Sequence, residues 1–426
     1  MKILITTYGT LGDVQPYVAL GKGLLHAGHQ VVLGTSERFR DFVEGHGLAF
    51  GHMDDGLLAI LDTDQGKKML ENTTNIFDVA KQNIKLGKKL KPLQIDQLRE
   101  TWELAKNVKP DFLLYHPKTG AAPHIAEELG IGCALVTPIP MLVATSKWPF
   151  PVLPGVKLGG WYNRLSYTVI KALSGFFLGK YIRTFRHDIG LKPMTKFDLL
   201  KNGEGQDIPV LHIVSESVLP RPSDWPTSAY MTGYCFLDRE KDWQPLSALR
   251  DFLDAGPPPV YIGFGSMAGS NPQQLAGTVV EALQRADVRG IIATGWGGLN
   301  PELLPDSILK IESAPHDWLF PQVSAVVHHG GAGTTAAGLR SGRPSVIVPF
   351  FGDQPFWGRL VHSLGAGTKS IPRKKLTAGR LAVAIREAIS NPDLQKRAED
   401  VGKKIRQEDG INNAVDVIEK IIKGEK

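Results

Sequence analysis

An apolar strand that runs into a glycine loop and then into a helix occurs in both halves of this chain. In the first half, residues 2–7 are the strand, Gly9 and Gly12 lie in the loop, and residues 14–27 are predicted to form the helix. In the second half, residues 260–264 restart the same pattern. Strand, turn and helix at this spacing make βαβ units, whose strands are parallel. The sequence therefore predicts an α/β protein with two doubly wound, Rossmann-like domains.

Apolar runs at regular spacing predict the other strands of the two sheets. They are residues 30–34, 111–115, 133–137 and 210–215 in the first half, and 290–294, 308–312, 325–328 and 345–349 in the second. The composition changes near Gly256, which precedes three prolines. We therefore expect a first domain over 1–238, a linker over 239–257 and a second domain over 258–405. An amphipathic helix within 406–426 is expected to return to the first domain.

The size and composition are those of a globular protein with two hydrophobic cores. The chain has 426 residues, of which 42% are hydrophobic and 22% charged. A net charge of +6 over this length does not indicate a nucleic-acid partner. Two cysteines, Cys133 and Cys235, argue against a disulfide scaffold or a four-thiolate zinc site. With no signal peptide and no membrane-spanning run predicted, we expect a cytoplasmic protein.

Residues 328–338 form the strongest functional pattern in the sequence. An apolar strand leads into Gly331 and Gly333 and then into small and hydroxyl residues that begin a helix. Glycines let the backbone approach an anion, and the amides and dipole of a helix N-terminus favour phosphate. His329 and Thr334 add side-chain donors. A tight turn would explain the glycines alone, but the accompanying histidines and threonines favour a cradle for a diphosphate.

Two further segments of the second half carry polar groups at predicted strand ends. The loop 263–269 can bring Ser266 and backbone amides to the same diphosphate. Asp353 and Gln354 follow the strand at 345–349, and a carboxylate beside an amide suits adjacent sugar hydroxyls. The alternative for Asp353 is a helix N-cap. The sugar role is favoured because the pair follows a strand of the second domain, which also carries the glycine loop of the diphosphate cradle.

Four motifs together resemble a known family. They are Pro315-His-Asp-Trp-Leu-Phe-Pro321, His328-His-Gly-Gly-Ala-Gly-Thr-Thr335, Pro349-Phe-Phe-Gly-Asp-Gln354 and Gly12-Asp-Val-Gln-Pro-Tyr-Val-Ala-Leu-Gly21. They are similar to the family 1 UDP-glycosyltransferases, and within these to the sterol 3-beta-glucosyltransferase branch and its antibiotic-glycosyltransferase relatives. The resemblance implies a GT-B fold, with two facing domains and a cleft between them. It also implies inverting transfer of a hexose such as glucose from a UDP-sugar, which is a co-substrate, with no obligatory metal or other cofactor.

The resemblance also implies roles for single residues. The implied donor-binding residues are Ser266, His329, Gly331, Gly333 and Thr334 at the diphosphate, Asp353 and Gln354 at the sugar, and Trp296 and Ser313 near the uridine. Plant members usually carry a tryptophan under the uracil at the position of Ser313. In this chain backbone groups and other apolar contacts are then expected to hold the base.

Asp13 is the candidate catalytic base. It lies in the first strand–helix loop, where a side chain is expected at the carboxyl edge of the sheet. Transfer to an alcohol requires removal of the hydroxyl proton. Plant relatives carry a histidine at this position, whereas the bacterial and fungal branch carries an aspartate. The alternative is a cap of the first helix, with Pro16 in its first turn, and both roles are compatible. His116, at the end of another strand, is the second choice for acid–base work and a candidate acceptor contact.

The acceptor is expected to be a lipophilic small molecule. Met141, Trp148 and Phe150 lie in a proline-rich segment and can form an apolar pocket, although loop packing is the simpler reading. The apolar stretch 162–182 and the basic stretch 81–91 allow peripheral contact with a membrane surface, and solvated helix faces are the alternative. Sterol, triterpene, flavonoid and polyketide acceptors all fit this description.

Two functions of other classes fit parts of the pattern. A sugar-nucleotide epimerase would need acid–base groups around the sugar and no acceptor pocket. A non-catalytic nucleotide-sugar binding protein would not need Asp13. No metal site is predicted, because the formal Asp-X-Asp motif at Asp62 and Asp64 lies in a polar segment away from the glycine loops.

Overall fold

The computed structural model of the chain describes residues 1–63, 76–194, 198–265, 271–295, 299 and 304–425, with backbone only for 61–62 and 76–91. The described residues form two compact units. Unit 1 comprises residues 1–63, 76–237 and 409–425, and unit 2 comprises residues 238–408. Residues 239–257 contain a helix and belong to unit 2.

Unit 1 is built on a seven-stranded parallel sheet in the order β3-β2-β1-β4-β5-β6-β7. Its strands are β1 (Lys2–Thr6), β2 (Gln30–Ser36), β3 (Ala49–Met53), β4 (Phe112–Tyr115), β5 (Gly132–Thr137), β6 (Val210–His212) and β7 (Ala229–Met231). Its helices are α1 (Leu11–His26), α2 (Arg40–Gly45), α3 (Gly56–Asp62), α4 (Ile76–Val108), α5 (Ala122–Leu129), α6 (Gly160–Asp188) and α14 (Gly410–Lys423).

Unit 2 repeats the plan with a five-stranded parallel sheet in the order β10-β9-β8-β11-β12. Its strands are β8 (Val260–Gly263), β9 (Gly290–Ala293), β10 (Ile308–Ile311), β11 (Ala325–His328) and β12 (Ser345–Ile347). Its helices are α7 (Ser247–Asp254), α8 (Pro272–Ala286), α9 (His316–Leu319), α10 (Ala332–Arg340), α11 (Gln354–Ser363), α12 (Ala378–Ser390) and α13 (Pro392–Arg406). The predicted α/β class with two parallel sheets is confirmed.

Strand β1 shows why the sheets are covered on both faces. Ile3 and Ile5 are fully buried in one core cluster, and Leu4 is fully buried in another on the opposite face. Alternate side chains of a strand point to opposite faces, so an uninterrupted apolar run requires helices on both sides. The C-terminal helix α14 contributes to the first of these clusters through Ala414 and Ile418.

No helix in the described ranges is long and apolar enough to cross a bilayer. Among the same residues, no group of three or more histidine, cysteine or acidic side chains is arranged to hold a metal ion. Asp64, the second acid of the Asp-X-Asp motif, lies outside the described residues.

Candidate active site

Asp13 lies in the first turn of α1, at the carboxyl edge of the unit 1 sheet. Thr10 is the N-cap, and its backbone N–H donates to Asp13 Oδ2 at 2.8 Å. The Thr10 hydroxyl is 3.2 Å from the same oxygen. Asp13 therefore completes a capping box, which fixes its rotamer relative to the helix. The side chain remains 17% exposed, so capping leaves part of the carboxylate accessible to a ligand.

The loop after β4 brings two more polar side chains to this carboxylate. Lys118 Nζ donates to both oxygens of Asp13, at 2.9 Å to Oδ1 and 2.8 Å to Oδ2. His116 Nε2 lies 3.6 Å from Oδ1. The loops after β1 and β4 are joined below the site by the hydroxyls of Thr6 and Thr119, 3.0 Å apart. Adjacent parallel strands thus place the aspartate, the lysine and the histidine together.

The charges around Asp13 keep it ionised. Burial opposes ionisation, but the Lys118 ammonium and the hydrogen bond from Thr10 outweigh it and hold the pKa of Asp13 below its usual range. Burial lowers the pKa of His116 to about 3, so this imidazole is neutral at neutral pH. His116 Nδ1 accepts from the Lys118 backbone N–H at 3.1 Å, which leaves the ring proton on Nε2, facing Asp13.

In unit 2, β11 leads directly into the glycine loop and α10. Gly330 has φ +90°, and a Cβ there would lie 2.8 Å from Ile347 Cγ2, so the turn requires glycine. Gly331 is the N-cap of α10 and has no side chain to accept from the first-turn amides. Thr334 is half-buried in that turn, and Gly333 is exposed with open space around its Cα. Among the described residues, no side chain caps the first-turn N–H groups of α10, which suits an anion site.

His329 packs against this helix start. A Cβ added to Gly331 would lie only 2.5 Å from His329 Nε2, which shows how closely the ring approaches the N-cap. Burial lowers the pKa of His329 to about 4, so the ring is neutral and keeps one N–H donor. Its Nδ1 is buried without a hydrogen-bond partner among the described residues. A buried unpaired ring nitrogen beside uncapped amides fits a bound oxyanion.

The loops after β8 and β9 converge on the same edge. A Cβ on Gly265 would be 3.7 Å from His329 Cε1, and one on Gly295 would be 3.1 Å from the Gly265 carbonyl oxygen. Both glycines have positive φ, +59° and +52°. Ser313 follows β10 and is exposed at this edge. Ser266 and Trp296 lie outside the described residues.

Asp353 and Gln354 begin α11 behind the glycine loop. Asp353 is the N-cap residue, and its Oδ2 accepts from the indole N–H of Trp357 at 2.7 Å rather than from a first-turn amide. Gln354 Oε1 accepts from the backbone N–H groups of Phe350 and Phe351, at 2.7 and 3.2 Å. These contacts fix the orientation of both side chains and leave the Gln354 Nε2 donor for other partners.

Four acceptor residues were predicted, and the three besides His116 occupy different places in unit 1. Trp148 is half-buried, with its indole N–H 3.3 Å from the Pro140 carbonyl and its ring edge-on to Trp225. Met141 is half-buried in the same loop. Phe150 lines a cavity of about 290 Å³, whereas neither Met141 nor Trp148 does. The cavity lies among the loop 142–150, α6 and residues 198–207.

Sequence reasoning pointed to the loop 263–269 but gave no role to Gly265 itself, and it gave none to Lys118 or Gly295. Lys118 lies three residues after the end of β4, at the edge where ligands bind in parallel sheets. This position could have identified Lys118 as a candidate site residue. The approach of Gly265 to Gly295 depends on the register between β8 and β9, which the sequence does not reveal.

Two protein-family models match parts of this chain. Residues 3–144 match the model of the glycosyltransferase family 28 N-terminal domain. Residues 279–418 match the model of the erythromycin biosynthesis protein CIII-like C-terminal domain. The two matches thus cover the loops that carry Asp13 and His329.

Similarity to characterised relatives extends over both halves of this chain. A sterol 3-beta-glucosyltransferase of Arabidopsis thaliana is 35% identical over 98% of this chain and 67% of its own length. A sterol 3-beta-glucosyltransferase of Saccharomyces cerevisiae is 38% identical over 98% of this chain, which spans only 35% of that protein. The crystal structure of the glycotransferase of kitacinnamycin superposes with a TM-score of 0.72 at 20% identity, covering 98% of both chains.

Proposed function

This chain belongs to the glycosyltransferase family that includes the sterol 3-beta-glucosyltransferases, and from that premise we propose that it transfers glucose from UDP-glucose to the hydroxyl of a sterol-like acceptor. We assign acceptor binding to unit 1 and donor binding to unit 2. The observation that carries the proposal is the ionised, partly exposed Asp13 in unit 1, because a nucleotide-binding protein alone has no need of a positioned base.

The donor site follows from the chemistry of unit 2. The uncapped amides of α10 and the neutral N–H of His329 would bind the diphosphate oxygens and stabilise the charge that UDP gains as it leaves. Because these groups supply the leaving-group stabilisation, the scheme requires no metal. Asp353, held by Trp357, would accept from two adjacent sugar hydroxyls, and Gln354 would donate through Nε2. Ser313, Ser266 and Trp296 are proposed contacts on the uridine and phosphate side.

The two oxygens of Asp13 differ in their capacity to accept a proton. Oδ2 already accepts from Lys118 and from two groups of Thr10. Oδ1 accepts from Lys118 at 2.9 Å, and His116 lies farther away at 3.6 Å. We therefore assign Oδ1 as the atom that receives the acceptor proton. His116 is a positioning residue in this scheme, since its Nε2 proton faces Oδ1, which must be unprotonated before it receives the acceptor proton.

The proposed reaction is a single displacement at the anomeric carbon. The acceptor O–H proton moves to Asp13 Oδ1 while its oxygen forms a bond to the anomeric carbon of the α-linked glucose. The bond from that carbon to the phosphate oxygen breaks, and UDP leaves with the electron pair. Attack opposite to the leaving group gives a β-glucoside.

A donor and acceptor panel tests this function. The purified protein is incubated with several UDP-sugars and with sterol, triterpene, flavonoid and polyketide acceptors, and products are identified by mass spectrometry. We expect a hexoside of a sterol with UDP-glucose. Transfer only to the other acceptors would replace the acceptor assignment. UDP binding without transfer to any acceptor would favour a non-catalytic binder, and conversion of the sugar nucleotide itself would favour an epimerase.

Lys118 should set the pH dependence of the base. The Lys118 ammonium lowers the pKa of Asp13, so Lys118→Met should raise that pKa. In the variant, the burial of Asp13, which raises its pKa, is no longer offset by the ammonium. The base works deprotonated, so the acid limb of the pH profile of kcat/KM should move to higher pH. The exposed Lys106, paired with Glu103, gives the control Lys106→Met. An unchanged acid limb in Lys118→Met would contradict the ion pair's role.

Trp357 should act on donor binding through Asp353. Trp357→Phe removes the indole donor that lies 2.7 Å from Asp353 Oδ2, and so holds the carboxylate less firmly. Loss of one such hydrogen bond should raise KM for UDP-glucose about fivefold, with less change in kcat. Trp243→Phe, whose ring packs against Trp318 in the same unit, is the control. If both variants raise KM equally, the contact with Asp353 is not responsible.

We also propose that the protein works as a peripheral protein at a membrane surface. Sterol-like acceptors reside in bilayers, so an enzyme that glucosylates them meets them at the membrane surface.

A further inference from the structure

Exposed apolar side chains are concentrated in one segment of unit 1. Eight of the twelve large apolar side chains exposed in the described part of the chain lie between residues 152 and 178. Phe176 is 79% exposed and Trp161 is 66% exposed. Single exposed apolar residues are common on protein surfaces, but a continuous group of them marks an interaction site.

Helix α6 arranges these residues on one face. Trp161, Leu165, Val169 and Phe176 recur at spacings of three to four residues or their multiples, which places them along one stripe of a helix. Val156 and Leu158 extend the stripe into the preceding loop and are 48% and 51% exposed. We call these six side chains the apolar face.

The inner side of α6 is anchored, so the apolar face is not a consequence of a loosely packed helix. Asn163 Nδ2 donates to the Ser146 carbonyl at 2.8 Å. The Ser166 hydroxyl accepts from the Phe150 backbone N–H at 2.8 Å. Arg164 Nη2 donates to Asp224 Oδ2 at 2.9 Å. The helix therefore presents the apolar face in a defined orientation.

The charge of this segment indicates which kind of surface it binds. Residues 129–187 contain no aspartate or glutamate, while lysine and arginine recur through them. Lys157, Lys180 and Arg183 are exposed next to the apolar face and have no acidic partner among the described residues. Aromatic and aliphatic side chains flanked by unpaired cations match the interface of a bilayer that contains anionic lipids.

The cavity lies on the opposite side of the same helix. Tyr167, Ile170 and Ser174 of α6 form one wall, and Leu142 and Phe150 form another. Two ion pairs line the cavity, one between Lys171 and Asp198 and the other between Lys201 and Asp207. The volume of about 290 Å³ is near the lower end of ligand pockets.

We propose that the apolar face of α6, with Lys157, Lys180 and Arg183, docks on an anionic bilayer, and that the cavity behind α6 receives the lipophilic acceptor from it. The docking surface follows from the exposure of the apolar side chains and from the positive charge beside them. The role of the cavity, by contrast, rests on the proposed function. Docking places the helix that walls the cavity in the layer where such an acceptor is dissolved.

Vesicle binding tests the apolar face. The whole protein is sedimented with phosphatidylcholine vesicles that contain phosphatidylserine. The variant Trp161→Ser with Phe176→Ser should bind about tenfold more weakly, because two large apolar side chains no longer enter the interface. The matched control is Leu246→Ser with Val383→Ser, which removes two exposed apolar side chains of unit 2, 77% and 58% exposed. Equal binding of both variants, or no binding of the wild-type protein, would overturn the proposal.

Charge reversal tests the lipid class. Lys180→Glu with Arg183→Glu should weaken binding about tenfold on vesicles with phosphatidylserine and should not change the weaker binding to pure phosphatidylcholine. Lys403→Glu with Lys404→Glu on α13 makes the same change of charge in unit 2 and should have no effect. Sedimentation velocity is run in parallel. A wild-type dimer that dissociates in Trp161→Ser with Phe176→Ser would show that a second copy covers this face, and would overturn docking on lipid.

An assay that supplies the sterol in two ways tests the docking surface and the proposed function separately. Sterol glucosylation is measured with sterol in vesicles and with sterol carried by cyclodextrin. The apolar-face variant should lose activity about tenfold only with vesicles. Equal activity of variant and wild type with vesicles would overturn the supply of acceptor from the bilayer. Vesicle binding without glucosylation in either form would contradict the proposed function and leave the docking surface standing.

Discussion

Replacing Asp13 by asparagine should lower the rate of glucosyl transfer about a thousandfold and leave UDP binding unchanged. The amide cannot take a proton at Oδ1, yet it can still accept from the Thr10 backbone N–H, so the start of α1 should remain folded. Transfer is measured at saturating UDP-glucose and sterol, and UDP binding is measured by calorimetry.

Two comparisons make this result specific. Asp41→Asn, on the exposed surface of α2, should retain wild-type activity. His116→Ala should reduce activity less than Asp13→Asn, because we assign His116 to positioning the carboxylate. Turnover of Asp13→Asn near that of the wild type would contradict the assignment of the base, and a larger loss in His116→Ala would transfer that role to the histidine.

Replacing His329 by alanine should weaken UDP binding about 10- to 100-fold, the range expected for one hydrogen bond to a charged group. The ring is neutral, is packed on the N-cap of α10, and has a buried nitrogen without a described partner. Its removal takes away one of the side-chain donors assigned to the diphosphate. Calorimetric titration with UDP gives the affinity directly.

A second substitution tests the same ring without removing it. Gly331→Ala places a Cβ 2.5 Å from His329 Nε2 and should displace the imidazole, with a loss of UDP affinity comparable to that in His329→Ala. The control His362→Ala removes an exposed histidine from the same unit. Wild-type affinity in both His329→Ala and Gly331→Ala would place the diphosphate elsewhere.

The fold could be read from the sequence where strands are uninterrupted apolar runs. The predicted strand at 325–328 coincides with β11, and the prediction at 2–7 differs from β1 by one residue. Strand β3 was missed because Gly51 and His52 interrupt its apolar pattern. Neighbouring β2 supplies the pairing that makes this segment a strand, and tertiary pairing of this kind is not encoded locally.

The candidate site was less accessible to sequence reasoning, because its properties arise between segments. The sequence indicated Asp13 as a base but not the ion pair with Lys118, which joins residues 105 positions apart. It indicated Gln354 as a sugar contact, but not that Oε1 is already bonded to the backbone of Phe350. Phe150 lines the cavity while Trp148 packs against Trp225, and this difference depends on the path of a loop without periodicity.

The anomeric configuration of the product tests the central claim most directly. The wild-type protein is incubated with UDP-α-glucose and a sterol, and the purified product is analysed by NMR. Direct attack by an acceptor oxygen that Asp13 deprotonates predicts a β-glucoside linked through the sterol hydroxyl. An α-glucoside would require a different mechanism, and the absence of a sterol glucoside under conditions of saturating donor binding would contradict the proposed activity itself.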